Sequence, residues 1–274
     1  MQQVKLMKKI LFLAAALSYS ASTTWAHQPY LAPLSFKTAN TQIPVVAGFA
    51  EDALISEHAL KDSALTVISP SKKTSTIQSP SALKSATVFD LSLDEDGTYH
   101  LSSKVTFPIK YTIHDQDWKI FVDMPADKAG PLKDREYVIP ADFKDNKVPA
   151  VETITREWLI QSYLTKNKNT AVASNSNAIL NVQFSVHPNE IKANSPIKLT
   201  VKKKNQNVKE AKISVLAKGQ TEKQATELVT NAQGVAEIKF PKSGEYLVVV
   251  HEKIDVKKKP SNEFFTITSI SVQP

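Results

Sequence analysis

The chain contains no cysteine, which excludes disulfides, a thiol nucleophile and thiolate metal sites and leaves stability to an ordinary hydrophobic core. Glycine is nearly as scarce, with six among 274 residues, and no phosphate-cradling loop or dinucleotide fingerprint can be assembled from them. A nucleophile elbow of the G-x-S-x-G kind is missing, as is an H-E-x-x-H pair. Acidic side chains occur throughout, but nothing in the sequence places two of them together. These absences point to a binding module rather than an enzyme.

Long apolar runs are missing too, with one short exception. Lys5, Lys8 and Lys9 precede an apolar stretch from Ile10 to Leu17, followed by a small, polar segment ending Thr24-Trp25-Ala26. That is the three-part layout of a secretory signal peptide over residues 1–26. The stretch is far shorter than the roughly 20 residues a membrane-spanning helix needs, so the mature chain is expected to lack a transmembrane segment and to reside in the periplasm. Cleavage after Ala26 makes His27 the first mature residue; cleavage after Ser22 is less well formed.

The formal charge of +7 falls to +4 without the three signal lysines, with 31 basic residues against 27 acidic ones. The excess lies in residues 179–274, which hold 15 lysines, nine acidic residues and no arginine. Lys202-Lys203-Lys204 and Lys257-Lys258-Lys259 supply most of it. A basic face could meet anionic lipid or an acidic protein, but lysines at strand ends more often discourage edge-to-edge aggregation. Nucleic acid is not expected as a partner.

What the sequence does have is β pattern nearly throughout. Phe89, Leu91 and Leu93 alternate with polar residues, as do Tyr99, Leu101, Val105 and Phe107, and the turn sequence Asp94-Glu95-Asp96-Gly97 between them reads as a hairpin. Further strands are expected at 43–49, 65–68, 109–113 and 118–124, with a loop region over 125–149; residues 153–164 fit a helix or a strand about equally and are read as a strand. Residues 165–178 have no apolar periodicity and read as a linker. Beyond it, seven short strands imply an immunoglobulin- or transthyretin-like sandwich, in which Leu247-Val248-Val249-Val250 is apolar on both faces and therefore central. The expected architecture is all-β, two consecutive β-sandwich domains over residues 27–164 and 179–274. Phe89 through Gly97-Thr98-Tyr99 echoes Phe240 through Gly244-Glu245-Tyr246: a turn glycine, then a tyrosine whose ring is buried and whose hydroxyl bonds locally.

Six histidines remain as the informative side chains: His27, His58, His100, His114, His187 and His251. After processing, His27 would carry a free amine and an imidazole, which can chelate one borderline divalent ion; equally, it is the first residue of a terminus that frays. His100 lies on the polar side of its strand and is expected at the surface. His114 opens a turn, His187 is held extended by Pro188 at a strand end, and His251 caps the central strand.

The segments Ala26-His27-Gln28-Pro29-Tyr30-Leu31-Ala32-Pro33, His58-Ala59-Leu60, Leu65-Thr66-Val67-Ile68-Ser69-Pro70 and Gly97-Thr98-Tyr99 resemble a bacterial family of exported proteins, numbered 4198 among domains of unknown function. Val186-His187-Pro188-Asn189-Glu190, Thr230-Asn231-Ala232-Gln233-Gly234 and Gly244-Glu245-Tyr246 extend the resemblance over nearly the whole mature chain. It departs from the family at Ser71-Lys72-Lys73, where an Asp-Gly turn is common, and at Asn231, where aspartate is usual. The resemblance implies a periplasmic β-sandwich protein associated with nickel uptake, with His27, His58 and His187 as metal-ligand positions. Two readings stand: a protein binding or delivering nickel, cobalt or copper to a metal-uptake system, or a non-catalytic structural module for an envelope partner such as an outer-membrane receptor.

Overall fold

The computed structural model describes residues 28–61, 64–78, 81–172 and 178–274; the segment expected to be a signal peptide and His27 lie outside them. Its first strands are β1 Gln28–Pro33, β2 Lys37–Thr38, β3 Gln42–Ala50, β4 Ala64–Ile68, β5 Thr74–Gln78, β6 Ser81–Ala82 and β7 Thr87–Ser92. The middle of the chain forms β8 Gly97–His114, β9 Asp117–Phe121, β10 Tyr137–Val138 and β11 Glu152–Lys166, with four single 3-10 turns in the expected loop region between β9 and β11. The C-terminal part supplies β12 Leu180–Phe184, β13 Pro196–Lys203, β14 Gln206–Asn207, β15 Lys212–Ala217 and β16 Thr226–Val229. It ends with β17 Val235–Lys239, β18 Gly244–His251 and β19 Glu263–Val272.

These strands form three sheets. The first outer sheet has the order β1-β3-β7-β6, and the second groups β12, β13, β14 and β17 around β13. Between them runs one sheet of eleven strands, whose main order is β10-β9-β8-β11-β19-β18-β15-β16. The two β-sandwiches that the sequence pattern predicts therefore share a sheet. The joint is a parallel ladder between β11 and β19, from Arg156↔Glu263 to Ser162↔Ser269.

Strand alternation explains how one sheet serves two cores. Successive side chains of a strand point to opposite faces. Ile267 of β19 and Leu247 and Val249 of β18 face the first outer sheet and join Val45, Phe89 and Leu101. Ile270 and Val272, with Val248 and Val250, face the second outer sheet and join Leu199, Ile238 and Phe240. The doubly apolar run at 247–250 is central, as its pattern predicts, because each of its faces closes a different core.

The expected hairpin between Phe89 and Phe107 is not formed. β7 pairs with β3 and β6 in the outer sheet, whereas β8 pairs with β11, β4 and β9 in the central one. The Asp94–Gly97 turn is instead a corner at which the chain changes layers. The tyrosine predicted to close it does so: Tyr99 is buried, and its hydroxyl donates to the Glu95 carbonyl at 2.9 Å and accepts from the Glu95 N–H at 2.7 Å. The echo in the second half is the same device, with the Tyr246 hydroxyl donating to the Lys242 carbonyl at 2.9 Å. Gly97 has φ +142°, and a Cβ there would strike Pro70 and Thr170, so both conformation and space require glycine.

Two strands expected at 99–107 and 109–113 are one, despite Pro108. The Thr155 N–H, opposite Pro108, donates to Asn262 Oδ1 on the β19 side, so this is a pair whose backbone groups point away from each other. The donor that proline lacks would have faced the open flank of β8, and no ladder bond is lost. Asn231 Oδ1 accepts from the N–H groups of Gln233 and Val235 at 2.9 and 3.0 Å, bonds that an aspartate at this position would make equally.

Candidate functional site

Of the three histidines with expected ligand roles, the two described ones, His58 and His187, fall in different places. His27 lies outside the described residues. His58 is exposed and forms an isolated antiparallel bridge to Phe49 at the end of β3. Pro29 is the partner of Phe49 on the other side of β3, and Gln28 pairs with Ala50, so the chain enters the first sheet two strands from His58. Glu57 is at the same end, where its Oε1 accepts from the Glu51 N–H at 3.3 Å. Gly48 makes this fold-back possible, because a Cβ there would run into Ser56 and the His58 carbonyl.

His187 belongs to the junction between the halves. Its Nδ1 accepts from the Asn189 N–H at 3.1 Å, and its Nε2 meets Thr98 Oγ1 at 3.0 Å. With Nδ1 accepting, Nε2 carries the proton and Thr98 is the acceptor. Both ring nitrogens are thus engaged, and burial holds the imidazole pKa below its ordinary value. The next turn residue, Asn189, is buried and donates to the Phe36 carbonyl at 3.1 Å and to Thr165 Oγ1 at 2.9 Å. The His-Pro-Asn turn is therefore a latch that pins the second half against β8, β11 and the chain after β1. Leu34 bonds to Pro44 near this latch, whereas His58 bridges Phe49; five strand residues separate these points by about 17 Å. Among the described residues, no group of three or more His, Asp or Glu side chains is placed to hold a metal ion.

The expected linker is partly tied down. β11 runs to Lys166, Thr170 exchanges N–H to hydroxyl bonds with Thr98 at 2.9 and 3.1 Å, and Asn169 Nδ2 donates to Glu190 at 2.7 Å.

His100 departs most from its expected surface position, being 1 % exposed. It stacks on Tyr163, with ring centroids 5.0 Å apart, and its Nε2 meets Gln161 Oε1 at 3.0 Å. Gln161 Nε2 donates in turn to Thr268 Oγ1 at 3.0 Å, which directs its oxygen to the histidine and makes His100 Nε2 the donor. Nδ1 is then a bare acceptor, buried without a partner. Burial lowers the pKa of this imidazole to about 4, against a smaller raising effect of the Gln161 bond, so the ring is neutral at physiological pH.

Beside this polar strip is a cleft of about 410 Å³, floored by Gln161 and Tyr163 of β11 and walled by β12, by Ala171 and Val172, and by the His187-Pro188 turn. Sequence reading missed it, because Gln161, Tyr163 and Asn181 belong to faces that a single-sided apolar pattern assigns to solvent.

The lysine runs are largely neutralised. Lys203 pairs with Glu252, Lys257 with Asp117, Lys258 with Asp255 and Lys259 with Glu152, and a second cavity of about 300 Å³ is bordered by Lys203, Glu252, Asp255, Lys258 and Lys259. No described helix is long and apolar enough to cross a membrane.

No curated protein matches the sequence. Among solved structures, the chain is similar to the FN1-FN3 domains of chicken CNTN1, with 9% identity, a TM-score of 0.26, 90% of this chain covered and 65% of that one, just under two thirds of its length. A two-domain fibronectin type III segment of chicken tenascin shows 11% identity and a TM-score of 0.24 over 90% of this chain and 99% of that one. These similarities carry no functional information. A family model, by contrast, matches residues 24–253, and the chain belongs to the family described as domain of unknown function DUF4198.

Proposed function

We propose that this is an exported, non-catalytic binding protein that takes a divalent transition ion where the mature chain enters the first outer sheet. The observation that carries the reading is the register at this edge: Gln28, which follows His27, pairs with Ala50, and His58 bridges the adjacent Phe49. An amine and imidazole on His27, the His58 imidazole and the Glu57 carboxylate make a nitrogen-rich set suited to nickel, cobalt or copper. His187 is left out of this set, because it belongs to the latch at the junction between the halves and not to the end of β3 where His58 bridges Phe49. Delivery to a metal-uptake system in the periplasm is the role that such a site would serve.

The test is calorimetric titration of protein beginning at His27 with nickel and with copper near pH 7. One ion per chain is expected, with His27→Ala and His58→Ala each weakening uptake about tenfold or more, and with binding fading in acid as protons compete with the ion for its nitrogen ligands. If no stoichiometric uptake occurs, or if both variants bind as tightly as the parent, the metal reading fails and a structural module for an envelope partner takes its place.

A further inference from the structure

We infer that the cleft beside β12 binds an extended, uncharged segment of another polypeptide, which adds as a strand to the open edge of the second outer sheet. This is independent of metal uptake at the other end of the molecule.

The argument starts from hydrogen-bond register. Among the described residues β12 pairs with β13 alone, from Leu180↔Lys203 to Phe184↔Leu199. Just past its end, the Ser185 N–H donates to the Lys198 carbonyl at 2.8 Å, which marks this pair as directly bonded. Alternation then places Val182 and Phe184 in pairs whose backbone groups point away from β13. Their partners agree: the Val201 N–H donates to Gly234 and its carbonyl accepts from Val208, both on the far side of β13. The N–H and C=O groups of Val182 and Phe184 are thus directed to the flank that lines the cleft.

The lining selects the chemistry of the occupant. Among the described residues, no Asp, Glu, Lys or Arg borders the cleft, and both ring nitrogens of its histidine, His187, are already hydrogen-bonded. An ion, whether metal or phosphate, would find no counter-charge. Apolar contacts come from Val172, Phe184 and Val186, and amides from Asn181 and Gln183. Asn181 Oδ1 is buried there with no hydrogen-bond partner, an acceptor that needs a donor. Backbone donors and acceptors at strand spacing, with a mixed and neutral surround, are what an added peptide strand requires. The edge also carries no proline and no charged residue within Leu180–Phe184, the devices that ordinarily deter such addition. By contrast, β1 has prolines at both Pro29 and Pro33, and Pro108 faces the open flank of β8.

The experiment uses the full mature chain and a pool of capped hexapeptides built from Thr, Val, Ser and Gln. Amide exchange at Val182 and Phe184 is followed by NMR with and without the pool at millimolar concentration. Exchange at both positions is expected to slow at least tenfold. A matching pool N-methylated at alternate residues, which keeps the side chains but cannot pair as a strand, should leave it unchanged. Val182→Pro, which removes an outward donor and no β12-β13 bond, should abolish the effect while the thermal transition is retained. The proposal is overturned if neither pool slows exchange, or if the N-methylated pool slows it as much as the unmodified one.

Discussion

The two hydrophobic cores differ in what they borrow. The core under the second outer sheet is built entirely from residues after 179, from Leu180 to Val272. The core under the first outer sheet is not self-sufficient, because Leu216, Leu247, Val249 and Ile267 reach into it from the C-terminal half. A shared sheet could have coupled the halves symmetrically. Here one half is complete in its own residues, and the other is finished only by its neighbour.

The sharpest way to break this comparison is to separate the halves. Expressed alone, residues 179–274 are expected to unfold in a cooperative transition, and residues 27–178 are expected to show none, by circular dichroism in a denaturant titration. If the N-terminal fragment folds cooperatively by itself, the one-sided dependence is wrong.

A smaller effect compares the two faces of a single strand. Ile267→Ala and Ile270→Ala should each destabilise the full chain by about 2–5 kcal/mol, since both side chains are 1 % exposed. In the 179–274 fragment the face bearing Ile267 is uncovered, so its substitution should fall below about 1 kcal/mol while Ile270→Ala keeps its cost. Equal effects of Ile267→Ala in chain and fragment would place Ile267 in the wrong core.

The smallest and most graded effect is acid sensitivity. The folded-state pKa of His100 is lowered to about 4, so the unfolded chain binds its proton first as pH falls. Its contribution is fully present above about pH 6.5 and is lost as pH falls towards 4, by at most about 3 kcal/mol. His187 and His251 are shifted in the same direction by burial. Denaturant midpoints between pH 7 and 4.5 should therefore fall less for His100→Gln than for the parent, and less for the 179–274 fragment, which lacks His100. A parent and variant with the same pH slope would show that His100 is not the group that matters.

The sequence carried the strands and the corners better than the layers. Tyr99 and Tyr246 announced themselves because a glycine two residues earlier leaves a tyrosine few other uses than closing the turn. The run at 247–250 was legible as central because both its faces are apolar. The His100 side of β8 was misread as surface, since it meets a buried but polar face of β11: Thr98 bonds Thr165 and His100 bonds Gln161 across strands far apart in sequence. Periodicity cannot distinguish such a face from a solvated one. Sheet membership was equally hidden, because Asp94–Gly97 would serve a hairpin as readily as a change of layer, and only the pairing of β7 with β3 decides.

The position of β19 has a consequence for the order in which the fold is acquired. It follows every other strand in the chain, yet it lies between β11 and β18 in the middle of the widest sheet and supplies side chains to both cores. A growing chain can therefore complete neither sandwich until its final strand has been made. The pairing of Arg156 with Glu263 spans 107 residues, and closure at such separation is slow because the entropy of a long loop is lost before the ladder forms. Neither sandwich closes before Glu263–Val272 is made, and the unfinished first half must be kept from associating with other chains until then.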